Sequence, residues 1–440
     1  MFKKIIATLA ILFIGASNTV TQSECIRSLI DEFVSKTRCG NVSIVIADHG
    51  EILFYGDPDG LYQIGSMTKA FTGLAVRELI DEGVISEDDC LSELIPGFEA
   101  YYKGEAVEIT VEDLLRQESG YTNSESAYPS AAEGMTLAQW AESINRRELV
   151  CMPGDEYNYS NVNYNLLGLI IENVTGMSYR EYMEENILSP AGLDSTYVGT
   201  PDDPSWIIKG SRIGFRIPFA YEVPVREGSI PAGYFYSDTE DIGSWLIKWI
   251  YGEDEAVTEI LSHLEKEGDY YAGWEMFEDG IIGHSGGTAN YSSRIVFSRD
   301  KEIGVCVLTN LNVAASTDSL CNNICSYMLG ENPGSPATDV WTVFDIIFSV
   351  VTLIALILFV LAFIMRRKWV LISTGLITLL LLALTTILMP AIFGASLHEI
   401  ISVWAPLSFG AGIAALALAS LALLIKFFKV LKDEGRKKTG

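Results

Sequence analysis

Apolar positions fall into two regimes along this chain. Beyond the stretch "ENPGSPATD", three almost unbroken apolar runs follow, Trp341 to Met365, Trp369 to Met389 and Val403 to Leu424. Each is close to the ~20 residues that a membrane-crossing helix needs. A core helix of that length keeps a polar face and these runs keep none, so the pattern predicts three transmembrane helices within 341–428, joined by a linker over 331–340. A fourth run stands at the other end. "MFKKIIATLAILFIGAS" places two lysines before the apolar residues Ile5 to Ile14 and small residues after them, the layout of a signal peptide or signal anchor over 1–23.

Between these ends the periodicity shortens. "NVSIVIADHGEILFYG" reads as two strands around a His-Gly turn, and "SSRIVFSRDKEIGVCVLTN" as two more around Arg299 to Lys301. Phe71, Leu74, Ala75 and Leu79 recur at helical spacing up to the stop signal "DEG". Residues from about 90 to 220 read as mostly helical, and Ser316 to Leu329 as a closing helix. Strands at both ends of a helical middle predict an α/β (α+β) domain over 24–330, in which one sheet is built from distant parts of the chain and a mostly helical subdomain is inserted.

Charge adds an orientation. Arg366, Arg367 and Lys368 separate the first two runs, and Lys426, Lys429, Lys432, Arg436, Lys437 and Lys438 follow the third, whereas the loop "PAIFGASLHEI" has neither Lys nor Arg. The positive-inside tendency predicts a multi-pass cell-membrane protein with a cytoplasmic basic tail over 429–440 and residues 24–330 outside. Residues 24–340 hold 19 basic and 53 acidic residues, a formal charge of −34, which argues against a nucleic-acid partner. The same charge fits a solubilising surface better than a lure for cationic substrates.

All seven cysteines lie in that outer region, where disulfides are permitted. Cys306, inside "IGVCVLTN", reads as a buried free thiol, leaving up to three bridges among Cys25, Cys39, Cys90, Cys151, Cys321 and Cys325 with the pairing open. No Cys-x-x-Cys pair or histidine cluster suggests a metal, and no cofactor is implied.

The candidate chemistry begins at "YQIGSMTKAFTGLAV", where Ser66 precedes Lys69 by one helical turn. By composition one or two Ser-x-x-Lys matches are expected by chance in a chain this long, so the motif needs company. It has two partners in order: Tyr159-Ser160-Asn161 before a strongly apolar helix, and His284-Ser285-Gly286-Gly287 ahead of the last strands. A serine hydroxyl is a poor nucleophile until a neighbour removes its proton, and a lysine at i+3 lies on the same helical face. That lysine serves as base only if burial and nearby donors lower its pKa.

With these three motifs, and with "ITVEDLLRQESGYT", "MPGDEYNYSN" and "IPAGYFYSDTEDIGSWL", residues 40–315 resemble the serine hydrolases related to class C β-lactamases and D-Ala-D-Ala peptidases, the penicillin-binding-protein-like group. The resemblance implies an antiparallel sheet flanked by N- and C-terminal helices. It also implies Ser66, Lys69 and Tyr159 as catalytic residues, Tyr159 relaying a proton once Lys69 has lowered its pKa. Asn161, His284, Gly286 and Gly287 become substrate-binding or oxyanion residues, with the amides of Ser66 and Gly287 as the oxyanion hole. Two positions depart from the pattern. His284 stands where β-lactamases commonly have lysine, which is similar to peptidase and esterase branches, and Gln117 stands where relatives often place a histidine.

The expected activity is hydrolysis of amide or ester substrates through an acyl-enzyme on a membrane-anchored, extracytoplasmic serine hydrolase, with D-amino-acid or acyl-peptide substrates. The signal, domain and three spans together resemble membrane-bound peptidases such as the colibactin-maturing peptidase. Esterase and weak β-lactamase activities are the alternatives within this class. From another class comes a penicillin-binding sensor or partner-binding membrane protein with little turnover. Oligomeric state stays open.

Overall fold

The computed structural model describes residues 22–124 and 127–439, so the expected signal lies outside the described residues except for its last two, which open a helix. Numbered in chain order, that helix is α1 (22–37), followed by α2 (Thr68–Asp81), α3 (Asn161–Thr175), α4 (Thr239–Tyr251) and α5 (Ala314–Met328). The strands of the main sheet are β1 (Val42–Asp48), β2 (Glu51–Tyr55), β3 (Tyr270–Tyr271), β4 (Trp274–Met276), β5 (Ile282–Gly287), β6 (Ser292–Ser298) and β7 (Ile303–Thr309). They pair antiparallel in the order β3-β4-β5-β6-β7-β1-β2. The sheet is therefore closed by the two ends of the domain, Val45 standing opposite Cys306.

Alternation along the strands supplies both faces. Ile44, Ile46, Val305 and Val307 meet Ile26 and Phe33 of α1 and Leu320 and Ile324 of α5. Val45, Phe297, Cys306 and Leu308 point the other way, toward Phe71 of α2 and Trp245 and Trp249 of α4. Phe71 and Trp245 stack with ring centroids 4.0 Å apart. Full burial of each such side chain contributes about 2–3 kcal/mol. The insertion packs on α2 through α3, whose Leu166, Leu167 and Ile170 are fully buried.

Three expectations are corrected. The region from 90 to 220 is not helical throughout: Ala100–Tyr102 pairs with Glu105–Val107, Tyr197–Val198 joins Phe235–Ser237, and Ser211–Gly214 forms a hairpin with Ile217–Ala220. Every cysteine is a free thiol, so none of the bridges left open among Cys25, Cys39, Cys90, Cys151, Cys321 and Cys325 exists. Cys321 and Cys325 sit one helical turn apart on α5, farther than the roughly 4 Å between Cβ atoms that a disulfide needs. The third apolar helix, finally, starts at Leu407 rather than Val403. Pro406 follows Ala405 in extended backbone (ψ 154°), which breaks the helix, and Ile400–Trp404 forms a separate wide turn.

The three C-terminal helices, α6 (Val340–Ile364), α7 (Lys368–Phe393) and α8 (Leu407–Thr439), contain segments of 25, 26 and 28 residues long and apolar enough to cross a membrane. One end of this helical module is fastened to the preceding domain by the 211–220 hairpin. The buried Arg212 donates to the carbonyls of Ile401, Ser402 and Ala405, as a cation caps a helix C-terminus. The fully buried Asp345 on α6 accepts from the turn amides of Phe215 (2.7 Å) and Arg216 (2.8 Å) and from the Ser408 hydroxyl (2.7 Å). An ionisable group at the start of an apolar helix is thus accounted for by the hairpin it holds.

Candidate active site

Ser66 sits in a single 3₁₀ turn, Gly65–Met67, that runs straight into α2. The turn is pressed against β5 more closely than side chains allow. A Cβ on Gly286 would lie 2.0 Å from the Ile64 carbonyl oxygen, and one on Gly65, which has φ +55°, would lie 2.5 Å from the Gly287 nitrogen. Glycine at both positions lets two backbone segments meet. The far side of α2 is seated the same way, since a Cβ on Gly73 would lie 2.2 Å from the Ala272 carbonyl oxygen.

Lys69, with no exposed surface, turns its Nζ toward three oxygens: Ala232 O at 2.6 Å, Asn161 Oδ1 at 2.7 Å and Ser66 Oγ at 3.0 Å. Burial without a counter-charge holds its pKa well below the usual lysine value. A neutral amine fits this setting: its two N–H groups donate to Asn161 and Ala232, and its lone pair faces the Ser66 hydroxyl. Tyr159 is a hydrogen-bond partner of Ser66, and its ring centroid is 4.9 Å from the Lys69 Nζ. The expectation that Lys69 lowers the Tyr159 pKa is corrected. Burial raises it, and with the lysine neutral no positive charge offsets that effect. The resting site therefore holds three neutral groups, with Ser66 hydrogen-bonded to both Lys69 and Tyr159.

The backing of Tyr159 explains the residue that departs from the pattern. Gln117 is fully buried in left-handed backbone (φ 62°), and its Oε1 accepts from the Ser160 amide (2.9 Å) and the Asn163 side-chain amide (2.5 Å). Its own carbonyl accepts from the Asn158 amide at 2.7 Å. One glutamine thus clamps the Tyr159 turn on both sides. Asn161 opens α3 above it, after the Ser160 cap, and its amide donates to Asn123 Oδ1 at 2.8 Å.

His284 lies behind this arrangement. It is 5% exposed, its Nδ1 lies 2.6 Å from the Ser285 carbonyl oxygen, and its Nε2 lies 3.3 Å from the Tyr270 hydroxyl. That pattern sets the proton on Nδ1 and leaves Nε2 to accept. Burial first, and second the charge that Lys69 carries once acid protonates it, push its pKa down to about 3. The imidazole is neutral and packs 6.0 Å from the Tyr159 ring, between centroids. Tyr270, which no motif announced, ties His284 to Tyr159 and Tyr164 by ring contacts.

Of the seven expected residues, Ser66, Tyr159, Asn161 and Gly287 line a pocket of about 380 Å³, and Lys69 lies beneath it. His284 and Gly286 are outside its lining. A smaller lobe of about 170 Å³ shares Ser66, Asn161 and Gly287. The roof was not foreseen: Trp341, Phe393, Glu399, Ile400 and Trp404, from the C-terminal apolar helices and the turn between them, complete the walls. Among the described residues no group of three or more His, Cys, Asp or Glu could hold a metal ion.

Comparison with known proteins follows from this geometry. Residues 26–322 match the model of a family described as beta-lactamase. The chain is similar to protein flp of Staphylococcus aureus (strain MW2), 29% identical over 377 residues that cover 78% of this chain and 74% of that protein. Over 146 residues, 31% of this chain and 33% of the other, it is 36% identical to a putative D-alanyl-D-alanine carboxypeptidase of Escherichia coli (strain K12). Among solved structures it resembles in fold the octameric penicillin-binding protein homologue from Pyrococcus abyssi, with a TM-score of 0.63 at 24% identity over 74% of this chain and 81% of that one. A beta-lactamase/D-alanine carboxypeptidase from Pseudomonas syringae gives 0.60 at 18% identity over 70% and 99%.

Proposed function

The chain belongs to the beta-lactamase family of serine hydrolases, and from that premise we propose that it is a membrane-anchored, extracytoplasmic peptidase that cleaves D-amino-acid or acyl-peptide amides through an acyl-enzyme on Ser66. The observation that carries this reading is the Lys69 amine, desolvated, held by two acceptors and aimed at Ser66 Oγ from 3.0 Å.

In the acylation step Ser66 Oγ attacks the scissile carbonyl carbon while its proton passes to Lys69 Nζ. The carbonyl oxygen, now negative, faces the backbone amides of Ser66 and Gly287, donors of a kind that contribute about 3 kcal/mol each. Tyr159, protonated at rest, gives its proton to the leaving nitrogen and recovers one from Lys69, so the C–N bond breaks with the amine leaving neutral. Water then attacks the ester, and the same groups run in reverse to return Ser66 its proton. Asn161 keeps Lys69 oriented, Gln117 holds Tyr159 in reach, and His284 supports Tyr159 from behind as a neutral group.

Anchoring and orientation rest on two further supports. The three apolar helices are long enough to span a bilayer. Their basic flanks meet at the end away from the hydrolase domain, where Lys368 pairs with Glu434 at 3.0 Å and Lys426 donates to the Phe363 carbonyl at 2.7 Å. The D-amino-acid preference draws on relatives described as a D-alanyl-D-alanine carboxypeptidase and, in fold, a D-stereospecific amidohydrolase of Streptomyces sp..

Steady-state hydrolysis of D-alanine p-nitroanilide, p-nitrophenyl butyrate and nitrocefin by the full chain tests the reading. Sustained amide turnover is expected, falling on the order of 10³-fold in Lys69→Met. A single acylation with no turnover on any of the three would instead make the protein a penicillin-binding sensor.

A further inference from the structure

The membrane module is not only beneath the catalytic domain; it is in the catalytic pocket. Two of its residues, Glu399 and Trp404, line both the larger and the smaller lobe, and these lobes meet at Ser66. Both come from the turn between α7 and α8, which Arg212 pins from the hydrolase side through the carbonyls of Ile401, Ser402 and Ala405. The turn therefore has a fixed position relative to Ser66, as a specificity wall requires. Glu399 is half-buried, and among the described residues its carboxylate has neither a hydrogen bond nor an ion pair within the module or from the domain. The module's other contributions to the larger lobe include Trp341, Phe393, Ile400 and Trp404, facing a domain wall that carries polar residues such as Asn123 and Asn161. A carboxylate in a half-enclosed cleft attracts a cation more strongly than one in open water, and indole and phenyl rings lining the same cleft can add their own attraction for an ammonium group.

Among the described residues that line the two lobes the other charged side chain is Arg226, in the smaller lobe, with no ion pair to Glu399. Lys69 below is neutral by burial. Among those residues Glu399 is thus the one carboxylate that a positive group near Ser66 can meet.

Resting on the Ser66 hydrolase reading, we propose that Glu399 is a specificity-determining residue supplied by the membrane module, selecting substrates with a protonated amine within about one residue of the scissile carbonyl.

The test uses the full chain in detergent or nanodiscs with D-alanine p-nitroanilide and its N-acetyl derivative, which share a leaving group and differ in the amine. The proposal expects Glu399→Gln to lower the ratio of kcat/KM for amine over acetyl substrate by about 10-fold or more, mainly through KM, and Glu399→Lys to lower it further. An unchanged ratio in both variants overturns it, as does an equal loss on both substrates. Labelling of Ser66 by a fluorophosphonate in the unsubstituted protein is measured alongside. Its absence would remove the hydrolase reading itself, whereas labelling with an unchanged ratio removes only the role of Glu399.

Discussion

At the scale of single residues the site works because burial sets protonation. An ordinary lysine is charged below about pH 10 and cannot take a proton from serine. Lys69 gives up that charge on folding because no anion accompanies it into the interior. The rate should therefore rise with pH to a plateau, as Lys69 loses its proton at a midpoint well below the ordinary lysine value, and a pH profile of kcat/KM checks this. His284 offers a stability counterpart. Its folded pKa of about 3 lies below its unfolded value of about 6.5, so the unfolded chain binds the extra proton between those limits. Stability should be full above pH 6.5 and decline as pH falls toward 3, and thermal melts of His284→Gln should show a shallower decline. Gly286 makes a geometric prediction. A Cβ 2.0 Å from the Ile64 oxygen must push the Ser66 turn off β5, so Gly286→Ala should slow fluorophosphonate labelling on the order of 10²-fold. The meeting of Ser66, Lys69 and Tyr159, which we propose as nucleophile, base and relay, was legible because each stands in a short motif whose spacing is set by one helix turn or one cap. Tyr270, the Ala232 carbonyl and the clamp made by Gln117 were not, because their roles arise from contacts that no local spacing encodes.

At the scale of elements the sequence was most informative where period and burial agree. β1, β6 and β7 are buried on both faces and β2 is the exposed edge beside β1, and all four strands were expected where they occur. The 211–220 hairpin also alternates, with Ile213, Phe215, Ile217 and Phe219 at every second position, yet it was expected to be helical. Only Ile213 enters a core; Phe215, Ile217 and Phe219 are 41%, 54% and 42% exposed, beside the start of the apolar helices. A strand whose greasy side faces outward gives no amphipathic contrast with the domain interior, and its partner, Asp345, lies 130 residues on. This hairpin and its buried Arg212 hold the module in register with the site. Arg212→Ala should cost about 2–3 kcal/mol by leaving carbonyls of the 400–405 turn unpaired. Limited proteolysis in detergent should then cut the linker before α6 faster than in the unsubstituted protein.

At the scale of the whole molecule the division into hydrolase-family domain and apolar helices turns out to be a division of sequence, not of site. Composition separates residues 24–330 from 341–428 cleanly, and the fold and catalytic pocket of a family member follow from the first part. The roof of the pocket comes from the second, where Trp341 read only as the start of a span and Phe393 and Glu399 only as residues of the loop between two spans. Sequence periodicity reports which residues leave water, and is silent on which domain they meet when they do. The central claim remains chemical, that Ser66 becomes acylated and is freed again. Intact-mass spectrometry of the full chain after treatment with a fluorophosphonate and, separately, a penicillin, beside Ser66→Ala, tests it most directly. A single adduct that needs Ser66, permanent with the phosphonate and decaying over time with the penicillin, is the predicted result. No adduct with either reagent on folded protein would contradict the account and leave a membrane protein that binds without catalysing.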